Sequence, residues 1–264
     1  MTEGRYGPEL ALATEVADLA GALLLDRLDR VQSIRHKSPK DVVTEVDHLS
    51  EALILGAIRE VYPEDGVLAE ESGLADRTNG RTWVVDPLDG TINYANGIPF
   101  FCVSIGLVVD GVPSVGVVRD PVRGETFAAT VDGPATLDGR PIQASHKELM
   151  SDLVISLTID GARLSERLAA IRTAIRVSRR LGSAALALAY VGNGRFDAFA
   201  QTHGLSAWDV AAAGLIAERA GAIVSDATAG GSWSDLARST RKFGVVAAPP
   251  AHHAQLLDLV RTPA

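Results

Sequence analysis

Acidic residues stand at four places where the local pattern changes: Asp47 three residues after Thr44, Glu70-Glu71 closing the run VLA, Asp86 and Asp89 flanking Pro-Leu after WVV, and Asp209 directly after Trp208. Each lies where a strand or loop should meet a helix, so a fold can gather carboxylates that are distant along the chain. Two carboxylates about 4 Å apart repel by on the order of 4 kcal/mol at an effective dielectric of about 20. A group of four is untenable unless divalent cations lie between them. Oxygen donors select hard ions, and Mg²⁺ prefers a few carboxylates together with water and substrate phosphate.

The segment DPLDGT, 86–91, offers more than charge. Pro87 keeps Asp86 extended and removes a backbone donor. The turn aims Asp86 and Asp89 to the same side and leaves the Leu88 carbonyl able to act as a ligand. Gly90 permits close backbone approach, and Thr91 opens a helix whose first N–H groups are unpaired, an anion site suited to phosphate. Acids beside an anion site are coherent when metal lies between them. Plainer readings exist for each fragment: Asp-Pro and Asp-Gly mark turns, Asp209 can satisfy a helix dipole, and Glu70-Glu71 can be a solvated loop. The combination, in this order, favours a metal site.

The elements that must position these residues follow from periodicity. Leu12, Val16, Leu19 and Leu23 give a helix over 9–30, and Thr44 with Asp47 caps a second helix ending near Val61. Short strands are expected at 67–69 and 83–85, a helical turn at 91–95, and a hairpin turning at Asp110-Gly111, followed by a strand at 126–131. Beyond residue 145 come a strand at 153–157, helices at 163–176 and 183–192, a strand at 196–200 and a helix at 207–220. Strands at 222–225 and 243–247 and a helix at 250–261 complete the chain. The first half (1–145) thus reads as α+β with an antiparallel sheet, carrying the 47–91 motifs. The second (146–264) reads as α/β and supplies Asp209. RHKSPKD, 35–41, is expected to be a loop, and GLADRTNGR, 73–81, a variable one.

Composition narrows the class. The chain has 264 residues, 47% hydrophobic and 22% charged, with a formal net charge of −8 and a pI near 5.3, which argues against general nucleic-acid affinity. No apolar run is long enough for a membrane span, and the N-terminus does not read as a secretory signal. The single cysteine, Cys102, excludes an internal disulfide and reads as a buried filler. A cytoplasmic location is the expectation.

AEES (69–72), DPLDGTINY (86–94) and WDVAAAG (208–214), preceded by DVVTEVD (41–47), resemble the ordered signatures of the inositol monophosphatase family over nearly the whole chain. The resemblance implies a five-layered αβαβα sandwich, a homodimer, and Mg²⁺-dependent, lithium-sensitive phosphomonoesterase activity on a small phosphorylated metabolite. It implies that Glu70, Asp86 and the Leu88 carbonyl hold one Mg²⁺, that Asp86, Asp89 and Asp209 hold a second, and that Glu70 contributes to a weaker third. Thr91 with Asp47 would orient and deprotonate the attacking water, the Gly90 and Thr91 amides would bind phosphate, and Glu71 would stand behind the ligands.

Gly182-Ser183-Ala184 resembles the family's substrate loop. Where family members commonly carry a glutamate facing substrate hydroxyls, this chain has Gln201, followed by an apparent insertion at Thr202-His203-Gly204. An uncharged amide both donates and accepts, and suits a different leaving group. Inositol monophosphate is the leading substrate expectation, with histidinol phosphate, fructose 1,6-bisphosphate or a nucleotide 3′-phosphate as alternatives. A regulatory protein using the fold as a binding platform is the competing reading. His36-Lys37 could approach phosphate or be solvated, Arg179-Arg180 could meet a second anion or be surface charge, and His252-His253 is expected to be ordinary surface.

Overall fold

The computed structural model describes residues 4–28, 34–38, 41–75, 79–227, 232–234 and 243–261. Helix α1 (Gly7–Arg27) is followed by the antiparallel pair β1 (Ile34–Ser38) and β2 (Asp41–Thr44), then α2 (Glu45–Val61). Next come β3 (Gly66–Ala69), β4 (Gly73–Ala75), β5 (Arg81–Asp89), α3 (Thr91–Ala95), β6 (Cys102–Val109), β7 (Val112–Asp120), β8 (Glu125–Thr130), β9 (Thr136–Leu137) and β10 (Arg140–Pro141). The remainder is β11 (Val154–Thr158), α4 (Leu164–Ala174), β12 (Val177–Arg179), α5 (Ala184–Ala189), β13 (Ala198–Leu205), α6 (Ala207–Arg219), β14 (Ile223–Asp226), β15 (Phe243–Ala248) and α7 (Pro250–Val260).

These elements stack as five layers, αβαβα. An eight-stranded sheet in the order β10-β9-β8-β7-β6-β5-β3-β4 and a five-stranded sheet in the order β12-β11-β13-β15-β14 form the two β layers. Helices α1 and α2 cover the outer face of the larger sheet, and their buried Val16, Ala20, Leu24, Ile54 and Ile58 pack with Trp83, Val85, Ile105 and Val117. Helices α5 and α6 fill the space between the sheets. On the far side α4 and α7 close the smaller sheet through Ile171, Leu256 and Val260. Strand period 2 is visible in the smaller sheet: Phe199, Val245 and Ala247 belong to the inner cluster, whereas Ala198, Ala200, Val246 and Ala248 belong to the outer one.

The small residues of WDVAAAG have a packing cause. Gly106 and Gly116 are cross-strand partners on β6 and β7. A Cβ built at Gly116 would fall 2.7 Å from the Ala212 carbonyl oxygen, and one at Gly106 would fall 3.0 Å from Ala211 Cβ. The paired glycines make a flat seat on which the backbone of α6 rests, and Gly214 faces Trp233 on the other side, its Cβ position 2.6 Å from Cζ3. The close approach fixes the height of the first turn of α6, which carries Asp209.

Several expectations are corrected. The segment 35–41 is not simply a loop: β1 and β2 pair antiparallel, with Ile34 opposite Thr44. The His36 and Lys37 side chains lie outside the described residues. Part of 73–81 is ordered, since β4 pairs with β3, while 76–78 lie outside the described residues. The helix expected at 183–192 is α5 followed by a 3-10 turn, Tyr190–Asn193.

His252 and His253 are not surface residues; they are 5% and 8% exposed. His252 Nε2 lies 2.8 Å from the Lys147 carbonyl oxygen and His253 Nε2 lies 2.9 Å from Ser225 Oγ. Both stand in the first turn of α7, whose apolar spacing hides that this turn packs inward. No described helix is long and apolar enough to cross a membrane.

Two expected outcomes follow from this packing. Gly116→Ala should cost about 1–3 kcal/mol, because α6 must lift off its seat, read as a lowered urea midpoint. Burial holds His253 below its ordinary value of 6.5, so the unfolded chain binds the proton more readily. Its stabilising contribution is intact above about pH 6.5 and is lost as pH falls from there toward the depressed folded value. Urea midpoints measured from pH 8 to pH 5 should therefore fall less steeply across that window in His253→Gln than in the parent chain.

Candidate functional site

Strands β3 and β5 run parallel, with Ala69 opposite Val85, so the residues that leave their carboxyl ends, Glu70 and Asp86, are neighbours. The Glu70 amide donates to the Val85 carbonyl at 3.2 Å. Strand β5 does not stop at Val85 as expected from sequence but continues to Asp89. Against β6 it is bulged: Asp86 lies opposite Ser104 and Asp89 opposite Cys102, three steps on one strand against two on the other. In a regular strand, residues three apart point to opposite faces. The extra residue brings both carboxylates to one side.

Asp209 arrives from the other sheet interface. It is the third residue of α6 and caps that helix by accepting from the Ser206 amide at 2.6 Å. The Ser104 hydroxyl donates to the Trp208 carbonyl at 3.1 Å and ties this turn to β6. Oxygen atoms of Asp86, Asp89 and Asp209 all lie within 4.8 Å of one another. Glu70 lines the same cavity of about 170 Å³, outside that tight trio, together with Leu88, Gly90, Thr91, Ile92 and Gly182. Among the described residues, four carboxylates and no lysine or arginine line this space.

The electrostatics follow from that lining. Burial, then the negative charges of Glu70, Asp89 and Asp209, push Asp86 well above the usual carboxylate range. Burial also raises Asp89, opposed by hydrogen bonds from the Ser183 hydroxyl and the backbone around Ala185. Those donors are close: Ser183 Oγ and the Ala185 amide both lie 2.6 Å from Asp89 Oδ2. Ser183 is also the N-cap of α5, so the 182–184 loop is bound to the acidic group through Asp89. Cys102 is fully buried with its thiol 3.9 Å from Asp89 Oδ2, and burial pushes that thiol well up, away from thiolate chemistry.

Thr91 Oγ1 donates to Asp47 Oδ1 at 3.0 Å and lies 3.1 Å from the Leu88 carbonyl. The other Asp47 oxygen accepts from the Thr44 amide and hydroxyl at 2.8 and 2.6 Å, closing the capping box of α2. Burial raises Asp47 despite these bonds. Gly90 has φ of 100°, and a Cβ there would lie 3.1 Å from the Phe100 carbonyl, so no other residue fits without strain.

Sequence reasoning missed two buried residues on α2. Ser50 Oγ donates to the Pro87 carbonyl at 2.9 Å, and Glu51 Oε2 accepts from the Glu71 amide at 2.9 Å. With Asp47 they form a buried polar face that grips the 86–91 turn and the 70–71 corner. The available signal was their spacing: Asp47 and Glu51 are i, i+4 partners beside the apolar stripe Val46, Ile54 and Ile58.

A second cavity, of about 260 Å³, shares Asp89, Gly182 and Asp209 with the first and extends to Ser156, Thr158, Arg180, Ser183, Ala184 and Gln201. Gln201 Nε2 donates to the His203 carbonyl at 3.1 Å. Thr202, His203 and Gly204, the place of the expected insertion, lie in a bulge of β13, where Gln201 to Leu205 spans only Val245 to Phe243 on β15. Arg179 is exposed on β12, away from the lining, whereas Arg180 belongs to it.

The family model described as "Inositol monophosphatase family" matches residues 7–262. A protein of Synechocystis sp. named inositol-1-monophosphatase is 40% identical over 224 residues, covering 82% of this chain and 78% of that one. A Pseudomonas aeruginosa protein named Nus factor SuhB is 38% identical over 236 residues, covering 84% and 86%. Among solved structures, the extragenic suppressor protein suhB of Bartonella henselae superposes with a TM-score of 0.87 at 30% identity, covering 96% of this chain and 98% of that one. Sequence, fold and the acidic cavity agree: the chain belongs to the inositol monophosphatase family.

Proposed function

We propose that this protein hydrolyses a small phosphate monoester with Mg²⁺, and that inositol monophosphate is the first ester to assay. The observation that carries the reading is the trio Asp86, Asp89 and Asp209, whose oxygens lie within 4.8 Å of one another in a cavity that no described lysine or arginine lines. An all-oxygen donor set with surplus negative charge fits a hard divalent ion. Glu70, Asp86 and the Leu88 carbonyl are the proposed donors to one ion, Asp86, Asp89 and Asp209 to a second, and Glu70 to a weaker third. When bound, such ions neutralise phosphoryl oxygens and lower the pKa of water.

The chain's own groups do the rest. Thr91 Oγ1 accepts a proton from the incoming water while passing its own to Asp47 Oδ1, the atom it already donates to. Burial, which raises Asp47, makes that carboxylate a better proton acceptor. The Gly90 and Thr91 amides are the proposed phosphate donors at the edge of the same cavity. Gly182, Ser183, Ala184 and Gln201 line the adjoining space, which suits the alcohol that leaves. The name of the Synechocystis relative supports inositol monophosphate. The name of the Pseudomonas relative supports a second reading, in which a surface of the fold binds a macromolecule. A platform role should survive loss of Asp89; hydrolysis should not.

Asp89→Asn should lower Mg²⁺-dependent release of phosphate from inositol 1-phosphate by at least ~100-fold, with an unchanged circular dichroism spectrum. Full activity in that variant would refute the metal assignment. Ser183→Ala, which removes one hydrogen bond to Asp89, should raise the Mg²⁺ concentration for half-maximal activity about tenfold. Asp86→Asn relieves repulsion in the empty site. In EDTA it should stabilise the fold by about 1 kcal/mol, while the rise in melting temperature on adding Mg²⁺ is lost.

A further inference from the structure

The second cavity defines what kind of alcohol leaves, an inference that rests on the phosphatase reading. Its volume, about 260 Å³, corresponds to roughly eight or nine waters at liquid density, enough for a ring-sized polyol. The wall shared with the acidic cavity, Asp89, Gly182 and Asp209, marks the end at which the ester bond would sit. Among the described residues the remaining polar wall is neutral apart from one cation: Ser156, Thr158 and Gln201 offer hydroxyls and an amide, Arg180 offers a guanidinium, and no further acid lines it.

Gln201 commits its amide nitrogen to the His203 carbonyl at 3.1 Å, so its carbonyl oxygen remains to accept from a substrate hydroxyl. Asp160, two residues past Thr158, is paired with His203 at 2.7 Å. Arg180 enters no ion pair among the described residues. A carboxylate at position 201 would repel an anion or capture this arginine; an amide does neither.

We propose that the leaving alcohol is a polyol bearing a second anionic group, phosphate or carboxylate, which Arg180 binds and which sets the substrate preference of this chain. The planar guanidinium matches either anion through paired N–H donors. Because Arg180 is exposed, solvent screens the interaction, and the preference is about five- to tenfold.

The test compares kcat/KM in Mg²⁺ within two pairs of esters. Inositol 1,4-bisphosphate against inositol 1-phosphate reads a second phosphate, and 3-phosphoglycerate against glycerol 3-phosphate reads a carboxylate. The parent chain should favour the doubly anionic member of at least one pair about five- to tenfold, Arg180→Met should bring that ratio to about one, and Arg180→Lys should keep part of it. A parent ratio at or below one in both pairs, or a ratio unchanged in Arg180→Met, overturns the assignment while hydrolysis itself upholds the phosphatase reading. If no ester is hydrolysed, that reading falls instead, and calorimetric binding of the same pairs to the parent chain and Arg180→Met decides the role of Arg180 by the same ratios.

Discussion

Like-charge repulsion inside one small cavity is the constraint around which the structure is arranged. Oxygens of Asp86, Asp89 and Asp209 within 4.8 Å of one another would drive the end of β5 and the first turn of α6 apart if each were free to move. The chain answers with a hydrogen-bond clamp on each carboxylate. The Ser206 amide holds Asp209, the Ser183 hydroxyl and Ala185 amide hold Asp89, and the Leu88 amide holds Asp86 at 3.0 Å. Each clamp is a hydrogen-bond donor without a full charge, so the cavity keeps its negative potential. A lysine would have neutralised it and left nothing for a cation to do.

Those clamps work only because helices and sheet are held at fixed heights. The seat of Gly106 and Gly116 beneath α6 trades backbone entropy for close approach. That approach lets Asp209, which is far from Asp86 and Asp89 in sequence, meet the end of β5. On the opposite side, α2 presents Asp47, Ser50 and Glu51 as a buried polar face, touching Thr91, Pro87 and the Glu71 amide. One helix thus fixes three points of the site, and its capping residue is also the proposed proton acceptor. Stability and the proposed chemistry share one carboxylate at Asp47, whose Oδ2 closes the cap while Oδ1 faces Thr91.

Much of this was legible along the chain. The Thr44/Asp47 cap, the Asp110-Gly111 hairpin turn and the order of helices and strands rest on contacts within a few residues, which local sequence encodes. The acidic residues themselves were legible by type. Other features were not. The 35–41 segment shows little periodicity because its two strands pair mainly with each other. The burial of His252 and His253 depends on Ser225 and Lys147, far away in sequence. Ser50 and Glu51 look like ordinary helix positions until the 70–71 and 86–91 corners are docked against them.

The sequence alone determined which groups are available: carboxylates, a proline-stiffened turn, a glycine where φ must be positive, and small residues in the helix after Trp208. Those properties are local, fixed by side-chain chemistry and by the dihedral freedom of single residues. Tertiary structure decided which of them meet. The bulge in β5 turned Asp86 and Asp89 to one side, and the glycine seat set the reach of Asp209. Packing of β12 and α5 placed Arg180, rather than Arg179, on the wall of the second cavity. Such choices depend on register and close packing between distant segments, where a shift of one residue reverses the face a side chain presents.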